Sequence, residues 1–267
     1  MVGMPELVSL LCSSCCFECD SLDAMSVEVE RKFVCTPDIQ EKLREIGAVC
    51  FGQHEFEDKY FDSPEYHLTL RDVWLRCRQG SWELKCPTQE DGQGREEESG
   101  DMSLLTRYRE ITRLPEIIAK VREVMKQECT EYKHLRQTEE GVKDSKLGVK
   151  STNECISDEG DQSWLRQLNL VPFAAFTTKR CSYTLKEEGQ ECGVRVDLDQ
   201  VDFGFCVGEI EVLVPDGGEM KLALEQIERT AQSLGLSGEK RVPGKMDAYL
   251  QRYCPEHYKQ LLDAKIL

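Results

Sequence analysis

Three short stretches of this chain carry charge at every second position, with mixed signs: Glu28-Val-Glu30-Arg-Lys32, Trp74-Leu-Arg76-Cys-Arg78 and Gly208-Glu209-Ile-Glu211. In a β-strand, side chains two apart share a face. Each stretch therefore aims a row of charge at one side of a sheet and mostly apolar residues at the other. Acids alone around an enclosure would suit a cation, and bases alone an anion. Both together suit a metal ion carried on a polyanion.

The alternation extends further. Glu83 and Lys85 oppose Trp82 and Leu84; Arg195, Asp197 and Asp199 oppose Val194, Val196 and Leu198; Glu209 and Glu211 oppose Ile210, Val212 and Val214. An ordinary surface sheet, apolar inside and charged outside, gives the same pattern. Two features favour a closed sheet instead. Many strands share one charged face, and the chain also carries helices whose apolar stripes need a partner. Charge inside the closed sheet and helices against its outer wall satisfy both. Unpaired buried charge costs several kcal/mol per ion, so such a lumen has to be balanced. The candidate lining is balanced: Lys32, Arg76, Arg78, Lys85, Arg180 and Lys245 face Glu28, Glu30, Glu110, Asp197, Glu209 and Glu211. A triphosphate with two divalent cations adds roughly nothing to that sum.

The elements that must position these residues are mostly strands. Strands are expected over 26–34, 49–62, 73–78, 82–86, 106–112, 173–185, 193–199 and 205–214, with Gln79-Gly80-Ser81 as a tight hairpin. Helical spacing runs from Leu114 to Lys126, and again over 219–234, 245–253 and 256–264, the last two divided at Pro255. About eight strands in hairpin order, with few helices between them, predict an α+β fold: an eight-stranded antiparallel barrel with a charged lumen and helices packed outside. Residues 127–163 are polar and lack apolar periodicity, so they are expected to form a flexible insertion into one domain spanning 25–267. Residues 1–24, with Cys12, Cys15, Cys16 and Cys19, are expected to be a disordered tail.

Bulk properties narrow the class. A net charge of −16 disfavours nucleic acid as a partner. No apolar run reaches the roughly 20 residues that span a bilayer, so no membrane partner is expected. Fourteen cysteines without an export signal read as reduced thiols in the cytoplasm. No Gly-x4-Gly-Lys-Ser/Thr loop is present, which excludes P-loop chemistry.

In this order the motifs resemble the CYTH superfamily of triphosphate tunnel metalloenzymes. The resemblance runs through Glu28-Val-Glu30-Arg-Lys32, Trp74-Leu-Arg76-Cys-Arg78, Trp82-Glu-Leu-Lys85-Cys-Pro, Thr178-Lys-Arg180, Arg195-Val-Asp197-Leu-Asp199 and Gly208-Glu209-Ile-Glu211, and ends at Lys245 before Tyr249-Leu-Gln-Arg252. It implies an eight-stranded tunnel, Mg2+ dependence, and hydrolysis of thiamine triphosphate to the diphosphate and phosphate by a monomer. Relatives acting on inorganic triphosphate, RNA 5′-triphosphate or ATP are the alternatives, with a non-catalytic polyphosphate-binding module beyond them.

Roles follow under that resemblance. Glu28, Glu30, Asp197, Glu209 and Glu211 are expected to hold the metal, and hard carboxylates without His or Cys suit Mg2+. Lys32, Arg76, Arg78, Lys85, Arg180 and Lys245 would hold triphosphate oxygens. Glu110 could ligate metal or orient one of these bases. Trp74, an indole on the charged face, is expected to stack on the thiamine rings. Tyr60 shares parity with the acids, and Lys85 could activate it toward the attacking water. Asp199 is read as a strand terminus.

Overall fold

In the computed structural model the described residues are 27–88, 105–136, 163–185, 193–215, 218–236 and 241–267, with side chains omitted over 127–136. Eight strands form a closed antiparallel barrel. They are β1 (Val27–Phe33), β2 (Val49–Asp62), β3 (Trp74–Arg78), β4 (Ser81–Pro87), β5 (Leu105–Ile111), β6 (Val171–Leu185), β7 (Val194–Val201) and β8 (Phe205–Val214). Around the barrel the order is β1-β5-β4-β3-β2-β6-β7-β8, closing where β8 pairs with β1.

Period-two alternation dictates this closure. Val29, Phe33, Val196, Ile210 and Val212 turn outward, and α1 (Ile39–Glu45) and α4 (Met220–Ser233) cover them with Ile39, Leu43, Ala223, Ile227 and Ala231. Leu75, Trp82 and Leu84 on the opposite wall meet Ile117 and Val121 of α2 (Leu114–Arg136) and Trp164 and Leu165 of α3 (Ser163–Gln167). A sheet apolar on its outside and capped by helices leaves its charged face for the interior. Phe33 lies directly over Gly208, its register partner, and a Cβ there would come 2.1 Å from the ring, so the glycine of the Gly208-Glu209-Ile-Glu211 motif makes room for this packing.

The β3–β4 hairpin turns through Gln79 and Gly80, both with positive φ (49° and 88°), and Arg78 pairs with Ser81. That is the two-residue turn whose twist matches the flanking strands. The helix expected to end at Lys126 continues to Arg136. Of the expected insertion, residues 137–162 lie outside the described residues, as do 1–26 with the four-cysteine tail.

Two further helices, α5 (Lys245–Tyr253) and α6 (Pro255–Asp263), do not clad the wall. They close one end of the lumen. Met246 and Tyr249 pack against Tyr60, Ala174, Phe176 and Val201, and Leu250 and Leu261 pack against Trp74.

Candidate active site

Every expected basic residue enters the lumen against an acid. Arg180 is the hub. Its guanidinium donates to Asp199 at 2.7 and 2.6 Å and to Glu209 at 3.0 Å, and lies 2.5 Å from Asp197. The ammonium of Lys245, delivered from the first residue of α5, contacts Asp199 and lies 3.1 Å from Glu209. Lys85 contacts Glu28 and approaches Glu110 to 3.3 Å. Lys32 contacts Glu30, which also accepts from Thr106 Oγ1 at 2.8 Å. Arg76 donates from Nε to Glu83 at 2.8 Å and lies 3.7 Å from Glu110. Arg78 forms a two-point pair with Asp58, at 2.7 and 2.9 Å.

Strand pairing explains these meetings. Glu30 is the register partner of Glu211, Lys32 of Glu209, Asp197 of Glu209, Lys85 of Glu110 and Arg76 of Glu83. Cross-strand neighbours on one face bring their Cβ atoms within about 5 Å. Parity puts these charges on one face, and strand order and register then determine which of them meet.

Besides Glu83 beside Arg76, four participants have no site role from the sequence alone. Asp199 is not a strand terminus: β7 continues to Val201, and the Asp199 carboxylate, fully enclosed, is shared by Arg180 and Lys245. Asp58 is also fully enclosed. Arg195 joins Asp197 and Glu211, at 2.8 and 3.0 Å. Ser182 Oγ donates to Asp197 at 2.7 Å. Their positions two residues from recognised members of the charged face were the available signal for all four.

Burial and pairing compete in setting protonation. Burial disfavours charge on Lys85, but Glu28 and Glu30 outweigh it and raise the ammonium's pKa, so Lys85 stays cationic. Glu209 is held well below the carboxylate range despite burial, because Lys245, Lys32 and Arg180 surround it. Glu211 goes the other way: burial and then Glu28 push it up to about 8. Glu211 therefore holds its proton at neutral pH, chiefly because it is buried.

These observations bear on a metal. Among the described residues, no three acid, His or Cys side chains gather closely enough to hold an ion as they stand. Lysines and arginines now occupy their oxygens. The donor set nevertheless suits a hard divalent cation. Its members are carboxylates, and Asp58, Glu83 and Asp199 join the expected acids against Arg195 alone on the basic side.

One end of the lumen is wetter than the other. The side chains of Arg195 and Glu110 are 39% and 28% exposed. At the other end the α5 residues meet an aromatic lining. Trp74 lies here, register partner of Lys85, with Nε1 donating to Asp72 at 2.8 Å and its ring against Leu250, Leu261 and Tyr108. Tyr60 faces Arg76 across the β2–β3 pair and stacks on Phe176 at 5.8 Å; Lys85 stands one strand further on, on β4. Phe56 lies under both Arg78 and Arg180, at 4.0 and 5.6 Å from the ring centroid.

A closed antiparallel tunnel, lined by buried acids interleaved with lysines and arginines, defines a protein built to take a polyanion into its interior. The chain belongs to the CYTH family, whose domain matches residues 26–244. It is 36% identical over 242 residues to the thiamine-triphosphatase of Homo sapiens, covering 89% of this chain and 90% of that protein. Identity to the thiamine-triphosphatase of Macaca fascicularis is 35% over 242 residues, with the same coverage. Among solved structures, the PH1012 protein of Pyrococcus horikoshii OT3 aligns with a TM-score of 0.47 and 19% identity, over 85% of this chain and 98% of that one.

Proposed function

We propose that this chain hydrolyses thiamine triphosphate to thiamine diphosphate and phosphate within the barrel, with Mg2+. The observation that carries this reading is the lumen itself, where six bases on four strands and one helix converge among buried carboxylates. The likeness to two thiamine-triphosphatases over about nine-tenths of each chain supports the choice of substrate.

Phosphoryl transfer needs little covalent help from protein; positioning and charge neutralisation carry most of it. Arg76, Arg78 and Arg180 offer planar forks to phosphate oxygens, and Lys32, Lys85 and Lys245 offer point charges. Asp58, Asp199 and Glu83 hold those forks in place before substrate arrives. Glu28, Glu30, Asp197, Glu209 and Glu211 would hold Mg2+, with Asp199 added to the set. When bound, the ion neutralises these acids and polarises the phosphate oxygens. Glu110, shared between Lys85 and Arg76, orients both bases.

Lys85 stays protonated, so it stabilises charge on the transferring phosphate rather than accepting a proton. Tyr60 orients the attacking water, with Arg76 as the neighbouring cation. Trp74 contacts the thiamine rings where the ionic lumen gives way to the aromatic end. The same reading places the enzyme in the cytoplasm as a monomer, and the described cysteines there carry free thiols.

A substrate panel tests the assignment. With Mg2+, kcat/KM for thiamine triphosphate should exceed that for inorganic triphosphate and ATP by tenfold or more. Equal or better turnover of either competitor, or cyclisation of ATP, would overturn the substrate while leaving the tunnel intact.

A further inference from the structure

The outer wall of the barrel carries a feature that hydrolysis does not use. Cys50 Sγ on β2 and Cys181 Sγ on β6 are 3.6 Å apart, although 131 residues separate them in the chain. Both point away from the lumen. Regular register would not bring them this close. Cys50 pairs with Tyr183 and Gly52 with Ser182, which leaves Phe51 as an extra residue in a β-bulge. Bulges bend and twist the strand that contains them. Here the bend brings Cys50 onto the sulfur two residues from its own partner, a diagonal pair whose Cα atoms usually lie about 7–8 Å apart.

We propose that Cys50 and Cys181 form a thiol-oxidation site that closes to a reversible intramolecular disulfide with a small disulfide oxidant of the glutathione class. Cys50 is exposed and open to attack from solvent, whereas Cys181 is partly buried. Gln53 Nε2 stands 3.9 Å from the Cys181 sulfur, and the Tyr183 side chain hydrogen-bonds it. Burial nevertheless pushes the Cys181 thiol up, so the exposed Cys50 attacks first and Cys181 closes the bond.

The exchange balances in two steps. The Cys50 thiolate attacks one sulfur of the oxidant, forming a mixed disulfide and expelling one small thiol. The Cys181 thiolate then attacks the Cys50 sulfur, forming the Cys50–Cys181 bond and expelling the second small thiol. The two protons lost by the cysteines end on the two expelled thiols. Two electrons pass from the protein to the oxidant.

The site lies directly behind the lumen. Cys181 stands between Arg180 and Ser182, whose side chains both hold Asp197. A bond from Cys181 to Cys50 fastens this stretch of β6 to β2 and closes a long loop, which restricts the unfolded chain.

The test uses the full chain, equilibrated in buffers of stepped glutathione disulfide to glutathione ratio, quenched by alkylation and mapped by mass spectrometry. A Cys50–Cys181 linked peptide should rise with oxidant, vanish with dithiothreitol, and raise the thermal midpoint by about 5 °C or more. Cys50→Ser and Cys181→Ser should each abolish both effects, and Cys206→Ser should retain them. The site is refuted if both thiols remain alkylated, or carry only glutathione, in the most oxidising buffer. It is equally refuted if Cys50→Ser shows the same rise in midpoint.

Discussion

Arg78 reaches into the lumen with little freedom left. Asp58 accepts from two of its nitrogens, and the Phe56 ring lies under the guanidinium. An enclosed carboxylate gripping an arginine in this way sets the fork's direction before any phosphate arrives, and small misplacements in such sites are costly. Asp58→Asn should therefore lower kcat/KM by about tenfold to a hundredfold through Arg78 while the barrel still folds, measured by phosphate release beside circular dichroism. An unchanged rate would show that Arg78 needs no partner. Trp74 makes a different prediction, because an indole contributes to the organic half of the substrate. Trp74→Leu should raise KM for thiamine triphosphate and leave inorganic triphosphate unaffected, and an equal loss for both would assign the ring to packing against Leu250 and Leu261. The bases and most acids were legible because parity alone places them. Asp199 shared that parity but lay at an expected strand end, where alternation carries less weight. Asp58, well inside the strand expected over 49–62, had no role from the sequence although it shares the face of Tyr60. What Tyr60 faces depends on strand order, and no local pattern carries that order.

Among the elements, the closing pair α5 and α6 is held by a buried chain of hydrogen bonds. Thr69 Oγ1 gives its single proton to Asp62 at 2.8 Å, so His257 Nε2, also 2.8 Å from that oxygen, must donate to it. Tyr66 stacks on the imidazole at 3.6 Å, and His257 Nδ1 is buried without a partner. Burial pushes His257 down to about 4 from an ordinary 6.5. The unfolded chain takes up a proton over that interval and the folded chain refuses it. His257 therefore stabilises the fold fully above about 6.5, and acidification removes that contribution on the way to about 4. His257→Gln, which keeps a donor toward Thr69, should flatten the fall in thermal midpoint across this window. Parallel curves for the two proteins would contradict the linkage. The longer helices were legible from apolar spacing at three and four residues. The seven residues of α1 and five of α3 were too short to show a period, and the last turns of α2 lack one. That α5 would enter the barrel mouth, bringing Lys245 to Asp199, is a tertiary fact with no local signature.

At the scale of the molecule, the barrel inverts the usual distribution, with apolar residues outside under helices and ions within. Such an interior is stable only while each charge has a partner, and the described bases and acids meet that demand pair by pair. The arrangement also stores its function. The cations that neutralise the acids are the ones a triphosphate would claim, and Glu211, pushed up to about 8 chiefly by burial, stays protonated among them at neutral pH. Closure was legible from the number of strands sharing a charged face; which end is sealed was not. The most direct measurement is phosphate release from thiamine triphosphate by the full chain, with Mg2+ and with a chelator in its place. One phosphate and one thiamine diphosphate per substrate with Mg2+, and none with the chelator, is the predicted result. Release that persists undiminished without the divalent ion, or no release in its presence, would contradict an ionic tunnel that works on a metal-bound triphosphate.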